Sequence, residues 1–425
     1  MNVTLRLKHA TTFSNSSFNA QSVSYVFTDN HTYGTPAWTW AEDHSSAEAK
    51  FTCTNSRCGH KETVVDTDID VEETYEKIIY TASVEFEGKT YSNKKEVQNE
   101  IGSWLVGHSL SLDGDIGVNF YMYLSDEIAS SSTAYMEFHI PAVRPENQLT
   151  TRVYVNEQSD SSLPCAYTKT IDNKTYYVFK CRVAAKEMTS DIAAQIKDDE
   201  SNKTGTVYHY CVKDYADYLL NNAYEADGTT VKNQTFADAV PLVKKLINYG
   251  AYAQMYFDRN YADLANADLP DEDRQLADVT AEMIERKTYT ENLDESVTYD
   301  GATLSLKSET SLSLYFISES EGLTFSCIKD NEKMTVQVEH TGKQYIARIR
   351  GIAANKLNDE FTLMVMNGET ELGSVTYSPM KYCYNTLYKA ETIEGYQEAN
   401  VDFVNVVKAL YWYYDAAKEY FTPKS

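Results

Sequence analysis

Ile116, Val118, Phe120, Met122 and Leu124 alternate with Gly117, Asn119, Tyr121 and Tyr123. Backbone pleating sends successive side chains to opposite faces, so this spacing predicts a strand with one buried face. The same signature recurs along most of the chain. Strands are predicted at 25–27, 37–40, 49–53, 62–66, 80–86, 134–140, 152–155 and 176–181. Asn-, Asp- and Gly-bearing turns separate them, and Glu87-Gly88-Lys89 reads as a hairpin turn. Elsewhere the period becomes helical. Helices are predicted at 213–222, at 235–257 with Val240, Val243, Leu246, Gly250 and Ala253 on one stripe, and at 401–421. Thr235 with Asp238 suggests a capping pair, and Asn400 caps the last helix. Leu276, Val279, Met283 and Ile284 predict one more helix over 271–286, with Pro270 just before its start.

The pattern is written twice. Leu304-Ser-Leu-Lys-Ser-Glu-Thr-Ser-Leu-Ser-Leu-Tyr-Phe316 echoes Leu110-Ser-Leu-Asp-Gly-Asp-Ile-Gly-Val-Asn-Phe-Tyr-Met122. Ile352-Ala-Ala-Asn-Lys-Leu357 echoes Val183-Ala-Ala-Lys-Glu-Met188, and 404–421 echoes 240–257. Three matches in the same order imply duplication of a whole domain. The alignment also settles an ambiguous segment: 191–197 has helical Ala content, but its counterpart at 360–366 is a strand entering an Asn367-Gly368 hairpin, so both are assigned as strands. The expected architecture is mostly β with α: tandem β-sandwich domains, each ending in a C-terminal helix, preceded by a small β-rich domain. The expected boundaries are a strand-like leader or domain remnant at 1–20, a small β module at 21–98, repeat one at 99–266, a helical linker at 267–296 and repeat two at 297–425.

Composition narrows the partners. The net charge of −25 disfavours nucleic acid and anionic membrane surfaces, both of which call for basic patches. Nothing approaches a membrane span, and 1–20 lacks the apolar run of a secretory signal. The abrupt strand-like start at Val3-Thr-Leu-Arg-Leu7 favours an internal piece of a larger secreted chain over a cytosolic protein. Tyr is abundant at 34 residues, which suits both sheet surfaces and binding surfaces.

The signatures of serine hydrolases, zinc peptidases and phosphate loops are absent, and no catalytic set is assigned. Cys53, Cys58 and His60, with His44 or His31, are the nearest approach to a metal set; the second Cys pair of a zinc ribbon is missing, so no metal or cofactor is assigned. A Cys53–Cys58 disulfide and free or packed thiols remain the other readings. The other five cysteines are scattered. Asp66-Thr-Asp-Ile-Asp70 departs from a calcium loop at Val71 and Lys77. Asp113-Gly114-Asp115 is read as a polar turn, replaced by Lys307-Ser308-Glu309 in the second copy. Trp38 and Trp40 share one strand face with Tyr33 just before them; these three are the candidate ligand-binding residues, as an aromatic row for sugar rings, set against a plain core role.

The strings Ser109-Leu-Ser-Leu-Asp-Gly-Asp-Ile-Gly-Val-Asn-Phe-Tyr121, Val212-Lys-Asp-Tyr-Ala-Asp-Tyr218 and Leu246-Ile-Asn-Tyr-Gly-Ala-Tyr-Ala-Gln-Met-Tyr-Phe257 resemble a repeated module of very large secreted or surface proteins of anaerobic gut Gram-positive bacteria. Trp38-Thr-Trp-Ala-Glu-Asp43, Ala49-Lys-Phe-Thr-Cys-Thr54 and Tyr80-Thr-Ala-Ser-Val-Glu-Phe86 resemble a companion β module of the same proteins. The resemblance implies an extracellular or wall-attached, non-catalytic context, beside carbohydrate-active domains or in adhesins. The expected function is a binding segment for a host glycoprotein, immunoglobulin among them, or a polysaccharide. An accessory region of a carbohydrate-active hydrolase and a purely structural spacer are the alternatives. Where the two copies differ is where a binding site is expected.

Overall fold

The computed structural model describes residues 31–56, 58–74, 77–111, 116–140, 151–157, 163–306, 310–329, 332–334 and 336–422. The expected leader at 1–20, the strand at 25–27 and the turns Asp113-Gly114-Asp115 and Lys307-Ser308-Glu309 lie outside these residues. The chain is mostly β, with six antiparallel sheets among the described residues and a long C-terminal helix. Its described residues divide into two compact units, 31–72 with 79–96 and 73–78 with 97–422.

In the first unit, β1 (Ala37–Trp40), β2 (Ala47–Thr52) and β3 (Lys61–Asp66) form one sheet. A second sheet is built from β4 (Asp70–Glu73), β5 (Lys77–Phe86) and β6 (Lys89–Gln98). The strict alternation of β2 buries Ala47, Ala49 and Phe51. Ala49 and Phe51 pack with Val84 of β5, and Tyr33, Trp38, Val64, Phe86 and Tyr91 lean on them. The predicted hairpin joins β5 to β6, with Glu87 and Gly88 both at positive φ as a tight primed turn demands.

The second unit contains both repeats. Repeat one runs β7 (Trp104–Ser111), β8 (Gly117–Tyr123), a short α1 (Asp126–Ser130), β9 (Ala134–His139), β10 (Thr151–Tyr154), β11 (Tyr167–Ile171) and β12 (Lys174–Arg182). A 3-10 turn, β13 (Ile192–Asp198), β14 (Lys203–Tyr210), α2 (Val212–Ala223) and α3 (Gln234–Tyr256) follow. The sheets are ordered β11-β12-β8-β7 and β10-β9-β13-β14. Their inner faces meet as a sandwich, with Phe120 and Phe138 in ring contact across it. The α3 cap is Asn233, whose side chain accepts from the Phe236 N–H, rather than Thr235.

The connection after repeat one departs from the predicted helix. Only α4 (Asp271–Arg274) and a 3-10 turn at Ala281–Met283 are helical, before β15 (Tyr289–Leu293). The apolar residues Val279, Ala281 and Ile284 are buried all the same. An extended strap achieves this because side chains of the later helices bond its backbone: the Trp412 indole N–H donates to Ala277 O at 2.9 Å, and the Ala281 N–H donates to Glu391 at 2.6 Å. Tertiary partners thus replace the hydrogen bonds of a helix.

Repeat two retraces the first. It runs β16 (Val297–Ser305), β17 (Ser311–Ser318), β18 (Leu323–Lys329), β19 (Glu332–Met334), β20 (Val336–Thr341), β21 (Gln344–Ile349), β22 (Phe361–Asn367) and β23 (Thr370–Tyr377). It closes with α5 (Pro379–Thr392), α6 (Tyr396–Ala399) and α7 (Val401–Phe421). The sheet orders β20-β21-β17-β16 and β19-β18-β22-β23 copy those of repeat one, and β15 adds an edge strand beside β23. Even a register slip is kept: β7 shifts between Leu105 and Gly107, and β16 between Tyr299 and Gly301. The closing helices α3 and α7 pack on each other, and Tyr249 stacks on Tyr413 at 5.7 Å. These tyrosines occupy the same place in the two copies, so the contact is self-complementary.

Candidate binding face

The strand pleat that builds the repeat-one core also fixes what its reverse side displays. In β8, Val118, Phe120 and Met122 point into the core. The intervening Asn119, Tyr121 and Tyr123 therefore lie on the opposite face. Cross-strand pairing extends that face. Trp104 of β7 sits opposite Tyr123, and their rings stack at 4.2 Å. Tyr121 is opposite Val178 of β12, which is opposite Tyr167 of β11. By the same alternation Tyr176 shares this face, opposite Lys169. Five aromatic side chains thus span four adjacent strands.

Local geometry holds the rings, and Val178 at the centre of the face is itself buried. Gly107, opposite Tyr121, carries no side chain, and a Cβ placed there would meet nothing within 4 Å. Tyr167 is 51% exposed, while Trp104, Tyr121, Tyr123 and Tyr176 are half-buried at their edges. The Tyr121 hydroxyl and Ser109 Oγ are 3.0 Å apart, and Asn119 Nδ2 donates to Ser109 at 3.1 Å. Lys169 Nζ lies 5.5 Å from the Tyr121 ring centre, within cation–π range. Desolvation, and then the neighbouring Tyr121, raise the Tyr167 hydroxyl above its ordinary pKa, so it stays a neutral donor. The outer side of the other repeat-one sheet is different in kind. There Lys197 and Arg152 pair with Glu137 beneath Tyr135.

Repeat two has the same scaffold without the aromatic row. The Trp104–Tyr123 pair becomes Thr298 opposite Ile317. Tyr121 is kept as Tyr315, again opposite a glycine and again with a hydroxyl partner, Thr303, at 3.1 Å. Tyr167 becomes Glu339, opposite Ile346, and Tyr176 becomes Gln344. Ring for ring, four of the five aromatic positions differ between the copies.

The three aromatics singled out from sequence lie elsewhere. Tyr33 packs edge-on against Phe51 and Phe86. Trp38 leans on the core of the first unit, and the Trp40 indole N–H is taken by Asn93 at 2.9 Å. On β1 the exposed positions are Ala37 and Thr39. Trp38 and Trp40 thus share a face, and that face is turned to the interior. The signal that identifies the β7–β8–β12 face instead is aromatic residues at the non-core positions of strands whose core positions are already filled.

The cysteines and histidines of the first unit do converge. Cys53 Sγ, Cys58 Sγ and a ring nitrogen of His31 lie within 4.8 Å of one another, with Cys58 Sγ 3.2 Å from His31 Nδ1. An isolated bridge between Tyr33 and Cys53 and a 2.8 Å bond from the Thr54 N–H to Thr32 O bring the His31 segment alongside. Gly59 at positive φ turns the chain so that His60 O accepts the Cys53 N–H at 3.0 Å. His60 then stacks on His31 at 4.0 Å and bonds Glu62 at 2.7 Å. His44 stacks on Tyr80 and is not part of this group. The backbone N–H of Asn55, and next His31, lower the Cys53 thiol to about 7. Neither sulfur is in a disulfide. Asp66 is consumed structurally, accepting from the N–H groups of Asp68 and Ser83. No described helix is long and apolar enough to cross a membrane. In comparisons with known proteins, the chain matches no family model and no curated protein.

Proposed function

We propose that this chain is a non-catalytic binding segment of a secreted or surface protein, and that repeat one recognises a glycan through the face formed by Trp104, Tyr121, Tyr123, Tyr167 and Tyr176. The observation that carries this reading is the difference between the copies. Duplication preserved the core, the bulge and the closing helices, yet only one copy has the aromatic row. Aromatic rings set at non-core positions in only one copy are not required by the fold. Flat, partly exposed rings on a sheet match the apolar C–H faces of pyranose sugars, and Ser109 and Lys169 offer hydrogen-bonding groups around them. The overall charge of −25 favours a neutral glycan over a polyanionic one.

The test is affinity electrophoresis and calorimetry against a panel of neutral plant and mucin-derived polysaccharides. The expected result is saturable binding to at least one of them, weakened by Trp104→Ala. Absence of binding to every member of the panel contradicts the reading. A second reading rests on β11. All of its residues are exposed, it lies at the sheet edge, and Tyr167 and Ile171 project from it. Such an edge suits strand addition by a protein ligand, with a host glycoprotein or immunoglobulin as the partner class. Binding to a serum or mucosal glycoprotein that survives deglycosylation and is lost on Thr170→Pro would favour it.

A further inference from the structure

Among its described residues the first unit buries mostly small side chains, Ala47, Ala49, Cys53 and Ala82, with Phe51, Ile79 and Val84 the larger ones. Its innermost core is Ala49, Phe51 and Val84, ringed by half-buried aromatics. Domains of this size commonly add a covalent or metal staple. At one end of that core, the chain brings two thiols and an imidazole together from three separate stretches: the approach to β1, the end of β2 and the turn before β3. We infer that His31, Cys53 and Cys58 form a zinc site that staples the first unit.

The geometry fits the ion. Tetrahedral zinc with Zn–S of about 2.3 Å and Zn–N of about 2.0 Å sets its ligand atoms roughly 3.5–3.8 Å apart. The three candidate atoms lie within 4.8 Å of one another, and Cys58 Sγ and His31 Nδ1 are 3.2 Å apart. Side-chain shifts of a few tenths of an ångström to about 1 Å would complete the arrangement. Two soft thiolates with one imidazole select zinc over the hard cations, which need oxygen donors. On binding, each thiol gives up its proton to solvent and contributes a thiolate. His60 is a positioning residue. Its ring stacks on His31 while its Nε2 is held by Glu62, so it fixes the His31 plane without supplying a ligand. The fourth coordination position is left to water. A Cys53–Cys58 disulfide would use the same two sulfurs and exclude the ion, so the alternatives are mutually exclusive.

The experiment uses the full chain, purified under reducing conditions and passed over a desalting column. Elemental analysis is expected to find about one zinc per chain. Cobalt added to the metal-free protein is expected to give an intense near-ultraviolet thiolate-to-metal band, displaced by zinc. Cys58→Ser and His31→Phe should each lower zinc affinity at least tenfold, while His60→Phe, which preserves the stack, should retain the metal. Circular dichroism of the variants in the metal-free state separates loss of a ligand from loss of fold. The inference is overturned if the reduced wild-type chain holds no stoichiometric zinc, if its cobalt spectrum lacks the thiolate band, or if mass spectrometry of the chain isolated without reductant shows a Cys53–Cys58 disulfide that stays closed in the presence of zinc.

Discussion

His108 shows how one buried group shapes the behaviour of repeat one. Its ring is stacked on Tyr210 at 3.9 Å and meets Phe120 edge-on, and its Nε2 is buried without a hydrogen-bond partner. Desolvation lowers its pKa to about 4. Between about pH 4 and the unperturbed value near 6.5, the unfolded chain therefore binds more protons than the folded one, and stability falls as pH is lowered through that window. The full loss is on the order of 3 kcal/mol. Burial raises the pKa of Asp198, but hydrogen bonds from Ser131, Ser201 and Thr133 outweigh it and leave the pKa lowered. Its contribution is lost only on going below the ordinary carboxylate range, so the two effects separate on a pH axis. His108→Phe is expected to flatten the decline from pH 6.5 to 4 in denaturant titrations. An unchanged slope would show that the ring is not the group responsible.

Among the elements, α3 and α7 bear most on how the repeats are joined. Tyr249 and Tyr413 are both buried and lie in the same stack. Tyr249→Ala and Tyr413→Ala should each cost about 3–5 kcal/mol through the cavity left behind. Because the two rings touch, the double variant should cost less than the sum of the singles. Chemical denaturation of the three variants checks this. Gly373 makes a comparable demand at the sheet edge. It sits at φ +117°, and a Cβ there would fall 2.0 Å from Asn292 O of β15. Gly373→Ala is expected to loosen β15, raising amide exchange at 289–293 while leaving the centre of β22 protected. The strands near 116–124, 134–140, 152–155, 176–181, 191–197 and 360–366 and the helices near 213–222, 235–257 and 401–421 are legible in sequence because each has a clear period or is checked by the other copy, whereas β11, β14, α5 and most strands of repeat two carry too weak a period to be predicted. The strap at 275–286 is not legible either, because its apolar spacing suits a helix equally well. What decides the matter is distant in sequence: Trp412, Glu391 and Lys408 reach back to hold its backbone and Asp278. The aromatic face was missed for a related reason. Trp104, Tyr167 and Tyr176 are far apart in the chain, and only strand order makes them neighbours. In sequence His31 is only a possible fourth metal ligand, because nothing in the spacing places it beside Cys53 and Cys58.

At the scale of the molecule, the two repeats share one continuous core, whereas the first unit has its own. Heating is therefore expected to give two transitions by calorimetry, one for the small unit and one for both repeats together. Separate melting of the two repeats would contradict the fused core. The duplicated scaffold presents different surfaces on a common frame, and the aromatic face of repeat one is the proposed binding surface. The most direct measurement is the affinity of the wild-type chain and of Trp104→Ala and Tyr123→Ala for a polysaccharide that the wild type binds, with melting temperatures taken alongside. The expected result is a loss of about 2 kcal/mol of binding, roughly thirtyfold, in each variant with little change in melting. Wild-type affinity in both variants, or a wild-type chain that binds none of the polysaccharides tested, would contradict it.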